Sequence, residues 1–161
     1  QDMRRRGLEP TTLVRSARQE VATAEVRSAL GLGLGDGDGG GGGDALAWRI
    51  ERLRLAAGVP MALEVGWYPS AVLRDLAAQD LMGSLYAVLA EAYDVRIAEA
   101  EQVAWAEAAD AALAEALEVD AGAPLLVFRR TSLDGDGRTV EHVTSWYRGD
   151  RYQVRMSLTG E

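Results

Sequence analysis

The stretch from Trp48 to Pro69, WRIERLRLAAGVPMALEVGWYP, can fold in few ways. It reads as two extended segments joined by a short turn at Ala57-Gly58, which predicts an antiparallel hairpin. The first strand is expected over Ala45–Ala57 and its partner over Pro60–Tyr68. Pro69 ends the hairpin because proline has no N–H to give to a ladder. Side chains alternate faces along a strand, so Arg52 and Arg54, two residues apart, point the same way. Glu64 lies in the second strand. Spacing alone leaves two readings open: two surface arginines on a solvated sheet face, or a seat for a small anion.

A second hairpin is written near the end of the chain. PLLVFRRTSL, opened by Gly122 and Pro124, is one strand, DGDGR is the turn, and TVEHVTSWYRG returns. Asp134 and Asp136 resemble the start of a calcium loop, but a third acidic ligand and a closing glutamate are missing, so they are read as turn residues. In the returning strand Glu141, Val143, Ser145 and Tyr147 share one face, opposite Val140, His142 and Trp146. Glu141 and Tyr147 can therefore address one pocket while His142 points away as a structural or surface histidine. Arg129 and Arg130 lie on opposite faces, so at most one of them reaches that pocket.

The remaining segments fill in around these hairpins. Gln1–Gly7 reads as the last turn of a helix, with Pro10 beyond it as a stop. A strand is expected over Thr11–Ala24, followed by a short helix in AEVRSALGL. Gly31–Gly43 holds nine of the 18 glycines and is expected to be a flexible loop, with neither the tandem copies of a calcium repeat nor the lysine of a phosphate loop. PSAVLRDLAA and LMGSLYAVLAEAY are read as helices. The Ala/Glu-rich segment that follows is split into a strand over Val95–Glu107 and a helix from Ala111 to Leu117, capped by Asp110. YQVRMSL is read as a last strand. About six strands and four short helices, with hairpins dominating, give an α+β domain on a mostly antiparallel sheet.

Composition narrows the chemistry. The 161 residues suffice for one domain with its own core. There is no cysteine, so disulfides, thiolate metal sites and cysteine nucleophiles are excluded. A single histidine, His142, excludes a metal centre built on several imidazoles. The net charge of −8 makes the domain a poor direct partner for nucleic acid, whose binding relies on neutralised phosphates. Neither a signal-peptide pattern nor an apolar run of about 18 residues is present, which places the expectation in the cytoplasm, away from membranes.

Read together, DMRRRGLEP, ERLRLAAGVPMALEVGWYP, GSLYAVLAEAYDVRIAEAEQ and GAPLLVFRRTSLDGDGRTVEHVTSWYRGDRYQVRMSL resemble the effector-binding (UTRA) domain of HutC-type GntR transcription regulators. The resemblance runs over nearly the whole chain, and it implies a chorismate lyase-like fold, which is the warrant for splitting the Ala/Glu-rich segment. It also implies one domain over 1–161, with 31–43 as an insertion. The N-terminal winged helix-turn-helix that such regulators use to bind operator DNA is expected to be absent from this chain.

By the same resemblance, Arg52 and Arg54 match arginines that hold an anionic group, often a sugar phosphate, and Ser84 matches a hydroxyl contact to it. A helix start suits an anion on general grounds, because its free N–H groups point outward. Glu64 and Glu141 match carboxylates that receive ligand hydroxyl or amide groups, and Tyr147 matches an aromatic that closes the site. Tyr86 packs either on the ligand or on the core. The leading expectation is thus a homodimeric sensor of a small anionic metabolite, with no catalytic residues, cofactor or metal. The alternatives are a chorismate lyase-like enzyme acting on a small carboxylate and a dimerisation module without a working pocket.

Overall fold

The computed structural model describes residues 9–33 and 45–160. The helical turn expected over Gln1–Gly7 lies outside the described residues, as does most of the glycine-rich segment. The element order is β1 (Pro10–Val21), α1 (Ala24–Leu30), β2 (Leu46–Ala56), β3 (Val59–Pro69), α2 (Leu85–Tyr93), β4 (Ile97–Ala108), α3 (Ala111–Leu117), β5 (Pro124–Asp134) and β6 (Thr139–Arg148). The six strands form one sheet in the order β1-β2-β3-β6-β5-β4, with every neighbouring pair antiparallel. No helix among the described residues is long and apolar enough to cross a membrane.

Local chemistry explains most boundaries. The β2–β3 turn uses Ala57 and Gly58 with φ of 50° and 76°, the left-handed pair that suits a tight hairpin. In the β5–β6 turn Asp134 accepts from the backbone N–H groups of Asp136 and Arg138 and from the Arg138 guanidinium. The two acids of this loop therefore serve the turn. β1 stops at Val21, three residues short of the expected Ala24, because Thr23 caps α1 through its hydroxyl. Asp110 caps α3 in the same way, accepting from the Leu113 N–H.

Two expected elements are absent. PSAVLRDLAA contains only a single 3₁₀ turn, Leu76–Ala78. The Leu73 carbonyl accepts from the Trp48 indole and the Arg74 carbonyl from the Tyr93 hydroxyl, so neither serves a helical ladder. Asp75 also sits at φ 55°, which a right-handed helix does not tolerate. YQVRMSL is not in the sheet, and residues 153–160 are exposed. Helix α2 starts later than LMGSLYAVLAEAY suggests, at Leu85, with Ser84 as its cap.

The sheet separates two environments. On one face Ile50, Tyr68, Leu73, Leu76, Leu85, Leu89 and Val140 form a core under α2 and the 3₁₀ turn. Val140 was expected to face away with His142, but the β5–β6 register shifts between Ser132 and Leu133, and this irregularity breaks the alternation at Val140. On the other, Leu63, Leu125 and Val127 pack with Ala114 and Leu117 of α3, and Ala47 packs with Val26 and Leu30 of α1. Burying one leucine contributes about 1.5–3 kcal/mol, several times the propensity difference between ordinary helical residues, so Leu85 and Leu89 hold α2 in place. The first core fills only part of its face, leaving a cleft at the start of α2.

Candidate functional site

The cleft is built on the centre of the sheet. Glu64 of β3 stands opposite Arg52 of β2 on one side and Ser145 of β6 on the other. Arg52 Nη2 donates to Glu64 Oε2 at 2.7 Å, and Arg54 Nη1 donates to Glu64 Oε1 at 3.3 Å. One carboxylate thus bridges two guanidiniums, with Arg52 and Glu64 both buried. Arg52 Nη1 also donates to the carbonyls of Leu81 (3.1 Å) and Gly83 (3.0 Å), which ties β2 to the loop entering α2. Arg54 is less committed: its Nε is buried and has no hydrogen-bond partner among the described residues.

Across the cleft a second carboxylate is held differently. Glu141 of β6 is buried and accepts from three hydroxyls: Ser132 (2.9 Å) and Tyr86 (3.0 Å) on Oε1, and Tyr68 (3.2 Å) on Oε2. Burial pushes its pKa above the ordinary carboxylate value, while these hydroxyls and the charge of Arg130 pull it back. Arg130 Nη1 donates to the Tyr86 hydroxyl, and its Nε and Nη2 donate to Gln102 Oε1 on β4. A chain of contacts therefore runs from the edge strand through Tyr86 at the start of α2 to Glu141. Tyr68 reaches Glu141 because Gly66, two residues earlier on the same face, has no side chain: a Cβ there would lie 2.7 Å from the Tyr68 ring.

An aromatic wall completes the site. Tyr147 and Tyr152 stack with centroids 4.1 Å apart, and Phe128 meets Tyr147 edge-on at 5.6 Å. Burial, reinforced by the charge of Glu64, pushes the Tyr147 hydroxyl up to about 12, so it stays protonated and can donate. The enclosed volume is about 600 Å³, within the range of small-molecule sites. Three guanidiniums (Arg52, Arg54, Arg130) and two carboxylates (Glu64, Glu141) line it, so the cleft carries net positive charge in a chain whose total is −8. Ser84 caps α2 through its hydroxyl at the rim, and the positive end of that helix adds to the field.

All seven residues singled out from the sequence, Arg52, Arg54, Glu64, Ser84, Tyr86, Glu141 and Tyr147, line this one cleft. Of the Arg129/Arg130 pair, Arg130 is the one that reaches it. His142 lies on the opposite face, with Nδ1 2.8 Å from Thr131 Oγ1 and Nε2 3.3 Å from Glu25 of α1. Sequence reasoning missed Tyr68, Gln102, Phe128, Ser132 and Tyr152. A glycine inside a strand pattern was the signal for Tyr68. Phe128, Arg130 and Ser132 share a parity on β5, but only the β5–β6 register, with Ser132 opposite Glu141, shows which face that is. Among the described residues no group of three or more His, Cys, Asp or Glu is placed to hold a metal ion.

A UTRA domain profile matches residues 5–153. The chain belongs to the UTRA family. This UTRA domain is 30% identical over 152 residues to the HTH-type transcriptional repressor NagR of Bacillus subtilis (strain 168). The match covers 94% of the chain but 59% of NagR, so the domain spans well under two thirds of that relative's length. Its fold matches the effector domain of PhnF from Mycobacterium smegmatis with a TM-score of 0.85, at 24% identity, over 98% of this chain and 92% of that one. A Streptomyces coelicolor protein assigned as a transcriptional regulator gives a TM-score of 0.73 at 37% identity, covering 91% of both chains. The domain has the chorismate lyase-like fold, and UTRA domains of this kind are the effector-binding parts of GntR-family transcription regulators. NagR and the Streptomyces coelicolor protein are named as regulators, and the lyase alternative finds no support in the relatives.

Proposed function

We propose that the cleft binds a small anionic metabolite, of which a sugar phosphate is the leading class, and that this ligand modulates DNA binding by the regulator. The observation that carries the reading is the meeting of Arg54, the α2 start, Glu141 and Tyr147 around one electropositive cleft. The anion sits against the guanidinium of Arg54, whose side chain is 31% exposed, and the helix start at Ser84. Arg52 adds charge and holds the loop of Leu81 and Gly83 in place. Glu64 and Glu141 receive hydroxyl or amide groups of the ligand, Tyr86 flanks the anion seat, and Tyr147 closes the site.

The working unit in this reading is a cytoplasmic homodimer. Operator DNA is contacted through a winged helix-turn-helix domain and not through this acidic domain. The ligand acts by preferring one placement of the two subunits, since only a difference in affinity between two states can shift them. Such a seat supports micromolar binding, about −8 kcal/mol.

A thermal-shift panel of sugar phosphates, amino acids and small carboxylates identifies a binder, because a ligand of the native state raises its melting temperature. Calorimetry with that binder is then expected to show Arg54→Ala weakening it by at least about tenfold, or 1.4 kcal/mol. Unchanged affinity would remove Arg54 from the anion seat. The absence of any shift across the panel would favour a dimerisation module over a sensor.

A further inference from the structure

The three guanidiniums of the cleft are not held alike. Arg52 and Arg54 both donate to the Glu64 carboxylate. Arg130 makes no ion pair among the described residues. Its Nε and Nη2 donate to the neutral amide oxygen of Gln102 at 3.0 and 2.8 Å, and its Nη1 donates to the Tyr86 hydroxyl at 3.2 Å. A guanidinium presents five N–H donors, and these contacts leave one on Nη1 and one on Nη2 without a partner among the described residues. Two N–H groups on the paired terminal nitrogens match the two oxygens of a carboxylate.

The neighbouring strand could have matched this charge and does not. β4 carries Glu99, Glu101 and Glu107, but they stand opposite Leu133, Thr131 and Leu125, on the face away from the cleft. Its cleft face is Ala100, Gln102, Ala104 and Ala106, so the residue opposite Arg130 is an uncharged isostere of glutamate. A charge without a counter-charge in a half-buried site is costly, and a ligand that supplies the partner gains by it. Glu141 lies beyond the Tyr86 hydroxyl and is engaged by its own three hydroxyl donors. Burial pushes its pKa up, which lowers the cost of placing a second anion nearby.

We propose that Arg130 is a second anion seat and that the effector carries a carboxylate there, in addition to the anionic group held at Arg54 and Ser84. This rests on the anion seat proposed above and narrows the ligand to a two-ended class, that of a phosphorylated sugar acid. Arg54 and Arg130 stand on β2 and β5, three strand spacings or about 14 Å apart across the sheet, so the two charges occupy opposite ends of the cleft. Glu64 on β3 and Glu141 on β6 lie between them and take the hydroxyls of the connecting carbons. Gln102 is a positioning residue: its oxygen accepts from Nε and Nη2 and so fixes the plane of the guanidinium. Both seats also bear on the start of α2, Arg52 through the Gly83 carbonyl and Arg130 through the Tyr86 hydroxyl.

Calorimetry with two matched pairs of compounds reads the second seat directly: glycerol 3-phosphate against 3-phosphoglycerate, and glucitol 6-phosphate against 6-phosphogluconate. Within each pair a terminal CH2OH group becomes a carboxylate and the phosphate is unchanged. The acid of at least one pair is expected to bind about tenfold tighter than its partner, or more, the effect of one charge-assisted contact. Arg130→Gln is expected to bring that ratio to about one. Gln102→Glu keeps the arginine and fills its seat from within the chain, so it should abolish the preference as well. A ratio near one in the parent chain, or a preference that survives either substitution, overturns the second seat. Binding by neither member of either pair overturns it too. The first reading then stands if the wider panel yields a binder that Arg54→Ala weakens, and falls if no compound shifts the melting temperature.

Discussion

The two carboxylates of the cleft are held by opposite chemistry. Glu64 is bridged by the guanidiniums of Arg52 and Arg54, so its negative charge is matched where it stands. Glu141 has no direct ion pair among the described residues; three hydroxyls from Ser132, Tyr68 and Tyr86 surround it, and Arg130 acts on it from one atom further away. The first end is a fixed ionic frame that also secures the loop into α2. At the second end the proton count and the hydroxyl donors can both change when a ligand competes for them. A buried ion pair resists rearrangement because separating it strands a charge, whereas hydroxyls rotate and exchange partners at little cost.

Removing Arg52 tests this contrast most severely. Arg52→Ala leaves the buried Glu64 with Arg54 alone and frees the carbonyls of Leu81 and Gly83. Breaking a buried pair in this way costs about 3–5 kcal/mol, to be read from urea unfolding. A loss below about 1 kcal/mol, the value of a surface pair, would show that the ionic end is not a frame. At the hydroxyl end Gly66→Ala drives a methyl group into the Tyr68 ring and displaces its hydroxyl from Glu141. The expected loss is about 1–3 kcal/mol by the same measurement, as for other overpacked sites. An unchanged midpoint would show that the ring moves aside freely.

Tyr86→Phe removes a single hydroxyl between Arg130 and Glu141, and about 1 kcal/mol of stability should go with it. Because that hydroxyl pulls the Glu141 pKa down, the variant should titrate Glu141 at higher pH in a carbon-detected NMR titration. A shift in the opposite direction would mean that Tyr86 does not donate to this carboxylate.

The smallest effect is the pH dependence contributed by Glu141 itself. Its folded pKa lies above the unfolded value, so the folded chain holds that proton more tightly. The stabilisation is complete below the unfolded carboxylate pKa of about 4.3 and is lost as pH rises through the raised folded value. The stability of the parent chain minus that of Glu141→Gln should therefore fall with rising pH across that window. A difference that is flat or rises would show that folding does not raise the Glu141 pKa.

Much of this arrangement was legible in the sequence, for a local reason. Alternation and turn residues identified both hairpins, put Arg52 with Arg54 and Glu141 with Tyr147, and turned His142 away. The strand before Asp110 showed in the shared parity of Val95, Ile97, Val103 and Trp105, but the family resemblance was needed to justify splitting it from the Asp110-capped helix, because alanine and glutamate favour helix on propensity alone. The segment 70–79 was misread as a helix because what breaks it is distant: Trp48 and Tyr93 take the carbonyls of Leu73 and Arg74. The tail was misread as a sheet strand because alternation shows that a strand has an apolar face, not that it has a neighbour.

What the residues decide among themselves here is the face each side chain takes and the partner of each hairpin, since both depend on neighbours a few positions away. The order of the strands lies beyond that reach. Placing β6 between β3 and β5 sets Ser145 beside Glu64 and Ser132 beside Glu141, and so closes two separate hairpins around one cleft. That pairing joins residues up to about 85 positions apart, from Ala62 to Tyr147. It is selected by burial of the two apolar cores on either side of the sheet, a property of the whole chain that no short stretch of it carries.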